Sequence, residues 1–217
     1  EVKTPFTIGV INLESYSLLV LEAVEEVKRD SYHWRDIGRS LAKLHKVKSD
    51  DFGFKRHGYF GPLYLDNRPM KDWPTFYAER RILPYLKMAV DSGILVEKMI
   101  SQVEKIVKKL PEICGPEVEP TLLHGDAQKN NYISTEEETF FIDCSVYYGH
   151  PELDLALIDY FQPVPEEVFQ GYQEIRSIAP GFEDRKELWR IFAWLGCVAV
   201  AGENYLENLN DSLQKYL

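Results

Sequence analysis

The sequence lacks what several function classes require. It carries 25 Lys and Arg against 35 Asp and Glu, a net charge of -10. That excludes a broadly basic surface able to displace counterions from nucleic acid. No apolar run approaches the roughly 20 residues that cross a bilayer, which argues against a membrane partner. The opening EVKTPFTIGV lacks the charged-then-apolar pattern of a secretory signal. Cysteine is sparse: Cys114, Cys144 and Cys197 are odd in number and form no CxxC pair, which predicts a reducing, cytoplasmic home. Internal repeats and low-complexity tracts are absent. What is present is 45% hydrophobic and 13% aromatic over 217 residues, enough to bury a substantial core.

Along the chain, residues 6–12 and 16–24 are β-rich runs around Leu13-Glu14-Ser15 and predict a hairpin. A lone hairpin is marginal in water, so the chain reads as opening partway through a domain. Trp34, Ile37, Leu41 and Leu44 then recur at helical spacing. Residues 48–72, rich in Gly, Asp, Asn and Pro, predict a long loop. Helices are expected over 75–91, with Pro84 kinking or interrupting them, and over 94–110, with Met99, Val103, Ile106 and Leu110 inward and Pro111 as the stop. Short strands flank residues 124–131, and helical periodicity returns over 152–161, 166–176 and 184–208. The expected class is α+β, dominated by helix.

Residues 124–131 read HGDAQKNN, and neither a helical nor a strand period explains them. Phosphoryl transfer needs a carboxylate to receive the attacking hydroxyl's proton, and hard oxygen ligands that hold magnesium against the phosphates. In the protein-kinase pattern, an Asp is followed five residues later by a metal-binding Asn, and a further Asp follows the next strand. Asp126, Asn131 and Asp143 reproduce that order, with FFID carrying the third. HGD alone is often a turn and a strand-terminal Asp is common, but the joint pattern favours a kinase-type site.

HGDAQKNN, IDCSVYYGHPELDLA and DWPTFYAERRILPYL together resemble the fructosamine (ketosamine-3) kinases, relatives of the aminoglycoside phosphotransferases. The resemblance runs from about Val2 to about Trp194. It implies a protein-kinase-like fold, with residues 1–27 as part of a β amino lobe and hinge and 28–217 as a mostly helical carboxyl-terminal lobe. It implies ATP and Mg2+ as cofactors and a ketosamine or glycated amine as the small-molecule partner. On matching positions, Asp126 is the catalytic base, Asn131 and Asp143 are metal ligands, His124 braces the loop, and Asp154 fixes it from a helix start. The backbone of Glu22, Ala23 and Val24 meets adenine. Tyr147 and Tyr148 are candidates for the sugar pocket, with core packing as the competing role.

The chain departs from the family at Ala127-Gln128-Lys129-Asn130, where a Leu-Trp-Ser-Gly-like run is usual, and at Cys144, where Pro is usual. Ahead of the first predicted strand there is neither a glycine-rich loop nor a strand lysine for phosphates. Rival readings are a non-catalytic kinase-shaped binding module, a kinase for an aminoglycoside or another amino sugar, and a metal-dependent hydrolase built on His124 and Asp126. The last is disfavoured because no further histidine lies at ligand spacing. Elsewhere, Trp34, Trp189 and Trp194 are expected in the core, His45 at a helix end, and His150 in a turn or at substrate. Glu79, Arg80 and Arg81 are expected on a salt-bridged surface, and Lys105, Lys108 and Lys109 on a solvated helix face.

Overall fold

The computed structural model describes residues 2–217. Strands β1 (Thr7–Asn12) and β2 (Ser17–Leu21) form the antiparallel hairpin that the opening predicts. Both of its faces are exposed: the paired Val10 and Leu19 are 58% and 61% accessible, and the next pair, Ile11 and Leu18, 50% and 45%. An extended stretch leads from β2 to helix α1 (Ser31–Leu44). Asp30 caps that helix, accepting from the amides of Tyr32 and His33, while the His33 ring reaches back in a capping box.

The expected loop over 48–72 holds a short hairpin, β3 (Gly58–Phe60) with β4 (Leu63–Leu65). Three-residue strands are too brief to register as an alternation among so many turn residues. Helix α2 (Trp73–Tyr77), a π-helical turn (Ala78–Ile82) and α3 (Leu83–Asp91) follow without a gap. Pro84 has no N–H to give the carbonyl of Arg80, four residues back. The guanidinium of Arg81 takes that carbonyl instead, at 2.9 Å. Helix α4 (Glu97–Ile113) places Met99, Val103, Ile106 and Leu110 inward as expected, but it continues through Pro111 instead of stopping there.

Next come β5 (Thr121–Leu123), a 3-10 turn (Lys129–Asn131), β6 (Tyr132–Ser134), β7 (Thr139–Phe141) and β8 (Tyr147–Gly149). Strand β5 pairs with β8 and β6 with β7, both antiparallel, so residues 124–131 leave one ladder and enter the other. Helices α5 (Glu152–Leu157), α6 (Glu167–Gln173), α7 (Phe182–Ala201) and α8 (Leu206–Gln214) complete the chain. The expected helix over 184–208 breaks at Gly202, whose φ of 83° ends α7. Helix α7 runs through the core, with Leu188, Trp189, Ile191 and Leu195 at 0% exposure. No helix among the described residues is long and apolar enough to cross a membrane. All three cysteines are free thiols.

Candidate active site

Strand β5 delivers the chain into His124-Gly125, and a buried carboxylate catches it there. Asp154, at 0% exposure on α5, accepts the amide of His124 at 2.7 Å on Oδ2 and that of Gly125 at 2.9 Å on Oδ1. His45, at the carboxyl end of α1, donates from Nε2 to the same Asp154 Oδ2 at 3.0 Å while its Nδ1 meets the Tyr172 hydroxyl at 2.8 Å. Burial holds His45 below its usual range, against the pull of Asp154. Gly125 adopts φ 80°, with the carbonyl of Ser145 where a side chain would begin. The His124 ring lies between Tyr132 and Phe141, and its Nδ1 accepts the Asp126 amide at 3.3 Å.

Asp126 follows, half-buried. Burial pushes its carboxyl up to about 6, and a hydrogen bond from Gln128 opposes that rise. The Gln128 amide spans both carboxylate oxygens, at 3.2 and 3.3 Å. Asn131, 6% exposed, donates Nδ2 to the Asp126 carbonyl at 2.8 Å, which leaves its Oδ1 without a partner among the described residues. Beyond β7, Asp143 is the single non-glycine described residue with positive φ, at 52°. Its carboxylate makes no hydrogen bond or ion pair among the described residues. Left-handed backbone at a non-glycine residue stores strain that surrounding structure must hold, a feature concentrated at functional sites. Ser145, two positions on, returns to the loop by donating its amide to the His124 carbonyl at 2.8 Å.

Asn131 Oδ1 and the Asp143 carboxylate are thus hard oxygen donors with no partner among the described residues, the kind that magnesium takes when waters and phosphates complete its shell. No group of three or more His, Cys, Asp or Glu could enclose a metal among the described residues. The donor set fits an ion shared with a ligand and does not fit an all-protein cage.

The remaining candidates lie apart from this loop. Glu22, Ala23 and Val24 line a cleft of about 540 Å3 opposite Thr135–Glu138. Tyr147 cannot face a sugar: it is 1% exposed, under the guanidinium of Arg81 at 4.0 Å and stacked near Phe76. The alternation of β8 sends Tyr147 inward and leaves Tyr148 half-buried beside Phe54. Arg81 is also internal, not on a salt-bridged surface, bonded to the Asp66 carbonyl and Asn67 Oδ1. His150 is 1% exposed, stacked on Trp189 at 4.8 Å, and it accepts the Glu152 amide at the start of α5, a turn role. Sequence reasoning gave no role to His45 beyond a helix end, and none to Gln128. The departure of Gln128 from the family run was the available signal for the second.

Comparison with known proteins bears on all of this. The fructosamine kinase family model matches residues 1–217. A probable ketoamine kinase of Pasteurella multocida is 29% identical over 210 residues, which covers 95% of this chain and 71% of that protein. The crystal structure of a protein assigned as a fructosamine-3-kinase from Thermobifida fusca superposes with a TM-score of 0.88 at 33% identity, over 95% of this chain and 72% of that one. The aminoglycoside phosphotransferase APH(4)-Ia, at 15% identity and a TM-score of 0.62 over 99% of this chain and 75% of that one, shares the fold alone. The fold is therefore protein-kinase-like, with the helical carboxyl-terminal region expected from the sequence. Matched along its whole length by one family model, the chain belongs to the fructosamine kinase family.

Proposed function

We propose that this chain carries the catalytic centre of an ATP-dependent small-molecule kinase that phosphorylates a sugar hydroxyl of a fructosamine or ribulosamine. The observation that carries this reading is the loop from Asp126 to Asn131, with Asp143 near it: one half-buried carboxylate beside two oxygen donors that have no partner among the described residues.

In this reading Asp126 accepts the proton of the acceptor hydroxyl as that oxygen bonds to the γ-phosphorus and the bond from phosphorus to the bridging oxygen breaks, releasing ADP. Gln128 orients the carboxylate. Asn131 and Asp143 would hold Mg2+, which would supply charge neutralisation at the transferring phosphoryl group. His124, Asp154 and His45 fix the loop and touch no substrate. The cleft beside Glu22–Val24 receives adenine, with residues 1–27 as amino-lobe and hinge and 28–217 as the carboxyl-terminal lobe. A non-catalytic binding module would have no use for two unpartnered oxygen donors around a carboxylate, so the geometry favours catalysis.

The test is to incubate the full-length polypeptide containing this chain with Mg2+, ATP and a ribulosamine or fructosamine, and to look for the phosphorylated sugar by mass spectrometry. Asp126→Asn should lower turnover by about 10²–10⁴-fold, the usual contribution of a positioned general base. Undiminished turnover in that variant would remove Asp126 as base. No product with any ketosamine would direct the search to another amino-sugar acceptor.

A further inference from the structure

Arg29 lies in the extended stretch between β2 and α1, far in sequence from the catalytic loop, yet its guanidinium is spent almost wholly on the end of that loop and the strand β6 that follows it. Nη1 donates to the carbonyl of Lys129 at 3.0 Å, Nη2 to the carbonyl of Tyr132, and Nε to Ser134 Oγ at 3.2 Å. Lys129 and Tyr132 bracket Asn131, so one side chain holds the backbone on both sides of that residue. The side chain is 14% exposed, and its single ion-pair partner among the described residues, Glu26, lies at 3.4 Å and is itself 60% exposed. Trp34 supports the guanidinium from below, 5.0 Å from ring centroid to Cζ. Beside it, the Val27 amide donates to the Ser134 carbonyl at 2.9 Å, so the stretch is joined to the end of β6 as well.

These bonds are directional, and a planar fork suits them where a point charge does not. Asn131 presents Oδ1 outward only while Nδ2 stays on the Asp126 carbonyl, and that depends on where the backbone from Lys129 to Tyr132 is held. The stretch that holds it continues from Glu22–Val24 at the nucleotide cleft.

We propose that Arg29 is a positioning residue for the metal-binding turn, clamping the carbonyls on both sides of Asn131 and coupling the stretch after β2 to the site for magnesium and nucleotide. The inference rests on the kinase reading for its consequence, although the clamp itself is a property of the fold. Losing an outer partner of a metal ligand typically costs 10–100-fold in metal affinity.

The test uses Arg29→Lys in the full-length polypeptide, a variant that keeps the charge and the apolar stem but loses the fork, with Arg29→Ala beside it. Two quantities are read. The first is amide hydrogen exchange without nucleotide or metal. Exchange over 129–134 should accelerate at least tenfold in both variants while that of α7 stays as in the parent. The second is the Mg2+ concentration for half-maximal turnover at saturating ATP. It should rise about tenfold, with KM for the ketosamine within about twofold of the parent. Parent-like exchange over 129–134 in Arg29→Lys overturns the clamp whatever the activity. So does faster exchange spread equally over α7, which would mark general loosening, or equal losses for Mg2+ and ketosamine. If the parent transfers no phosphate but the variants exchange faster over 129–134 alone, the kinase reading fails and the clamp stands.

Discussion

His45 and Asp154, 109 positions apart, meet at 3.0 Å with neither side chain exposed, and the same carboxylate holds the first two residues of the 124–131 loop. Asp126 is therefore positioned through a carboxylate and an imidazole supplied by two helices, α5 and α1. Asp154→Ala would strip the amides of His124 and Gly125 and Nε2 of His45 of their acceptor. At roughly 1–3 kcal/mol for each buried donor left unpaired, stability should fall by about 3 kcal/mol or more. Urea unfolding measures this directly, and an unchanged midpoint would show that the loop finds other acceptors.

The same interior makes stability depend on pH. His150 accepts the Glu152 amide on Nδ1, so the neutral ring carries its proton on Nε2, where no acceptor lies among the described residues. Burial, then Arg185, depress its pKa from the ordinary 6.5 to about 3. The unfolded chain binds a proton at this residue below about pH 6.5 and the folded chain does not until about pH 3. Stability is therefore fully present above pH 6.5 and is lost as pH falls toward 3, by up to about 1.4 kcal/mol per unit. His45 and His124, also depressed by burial, act in the same sense. His150→Asn should flatten the acid side of a stability-pH curve by about one proton. An unaltered slope would mean that His150 already takes up its proton in the folded state.

What the sequence disclosed and what it withheld divide along chain separation. Helices α1 and α4 were legible because their apolar residues repeat within a few positions. Asp126 and Asn131 were legible because one turn of loop joins them. The clamp of Arg29 and the bond from His45 to Asp154 were not, because their partners lie more than 99 residues away and no local period announces them. Tyr147 misled for a related reason. An aromatic pair reads alike in a pocket and in a core, and the register of β8 against β5 decides which ring turns inward. Pro111 misled because a proline in an exposed last turn forfeits a single hydrogen bond, which the packing of α4 overrides.

Gln128 spans both oxygens of the Asp126 carboxylate, and its bond is the larger of two side-chain hydrogen bonds, with Asn131 the other, that oppose the rise in the carboxyl's pKa. Its two distances, 3.2 and 3.3 Å, describe a shared, moderate hydrogen bond that fixes the plane of the carboxylate more than it adds strength. Gln128→Ala should lower kcat about tenfold, equivalent to about 1.4 kcal/mol, with KM for ATP unchanged. Gln128→Glu should be worse, since it sets a second carboxylate against the base. Steady-state kinetics on both variants decide the matter, and equal rates for Gln128→Ala and the parent would show that Gln128 does not orient Asp126.

Gly125 offers the sharpest geometric test. Its φ of 80° is one that an L side chain rarely adopts, and a Cβ built there would lie 2.0 Å from the Ser145 carbonyl oxygen. Gly93, in an open turn after α3, shares the backbone conformation at φ 73° but would meet nothing within 4 Å. Gly93→Ala therefore reports the conformational cost by itself, about 1–2 kcal/mol. Gly125→Ala adds a clash with backbone that cannot swing aside, because the Ser145 amide is held by the His124 carbonyl at 2.8 Å. The loop and the segment carrying Asp143 must then separate. Thermal unfolding should place Gly125→Ala well below Gly93→Ala, and turnover should collapse in the former alone. Equal melting temperatures would show that the loop can move off Ser145, and that the contact between the two halves of the site is looser than its geometry indicates.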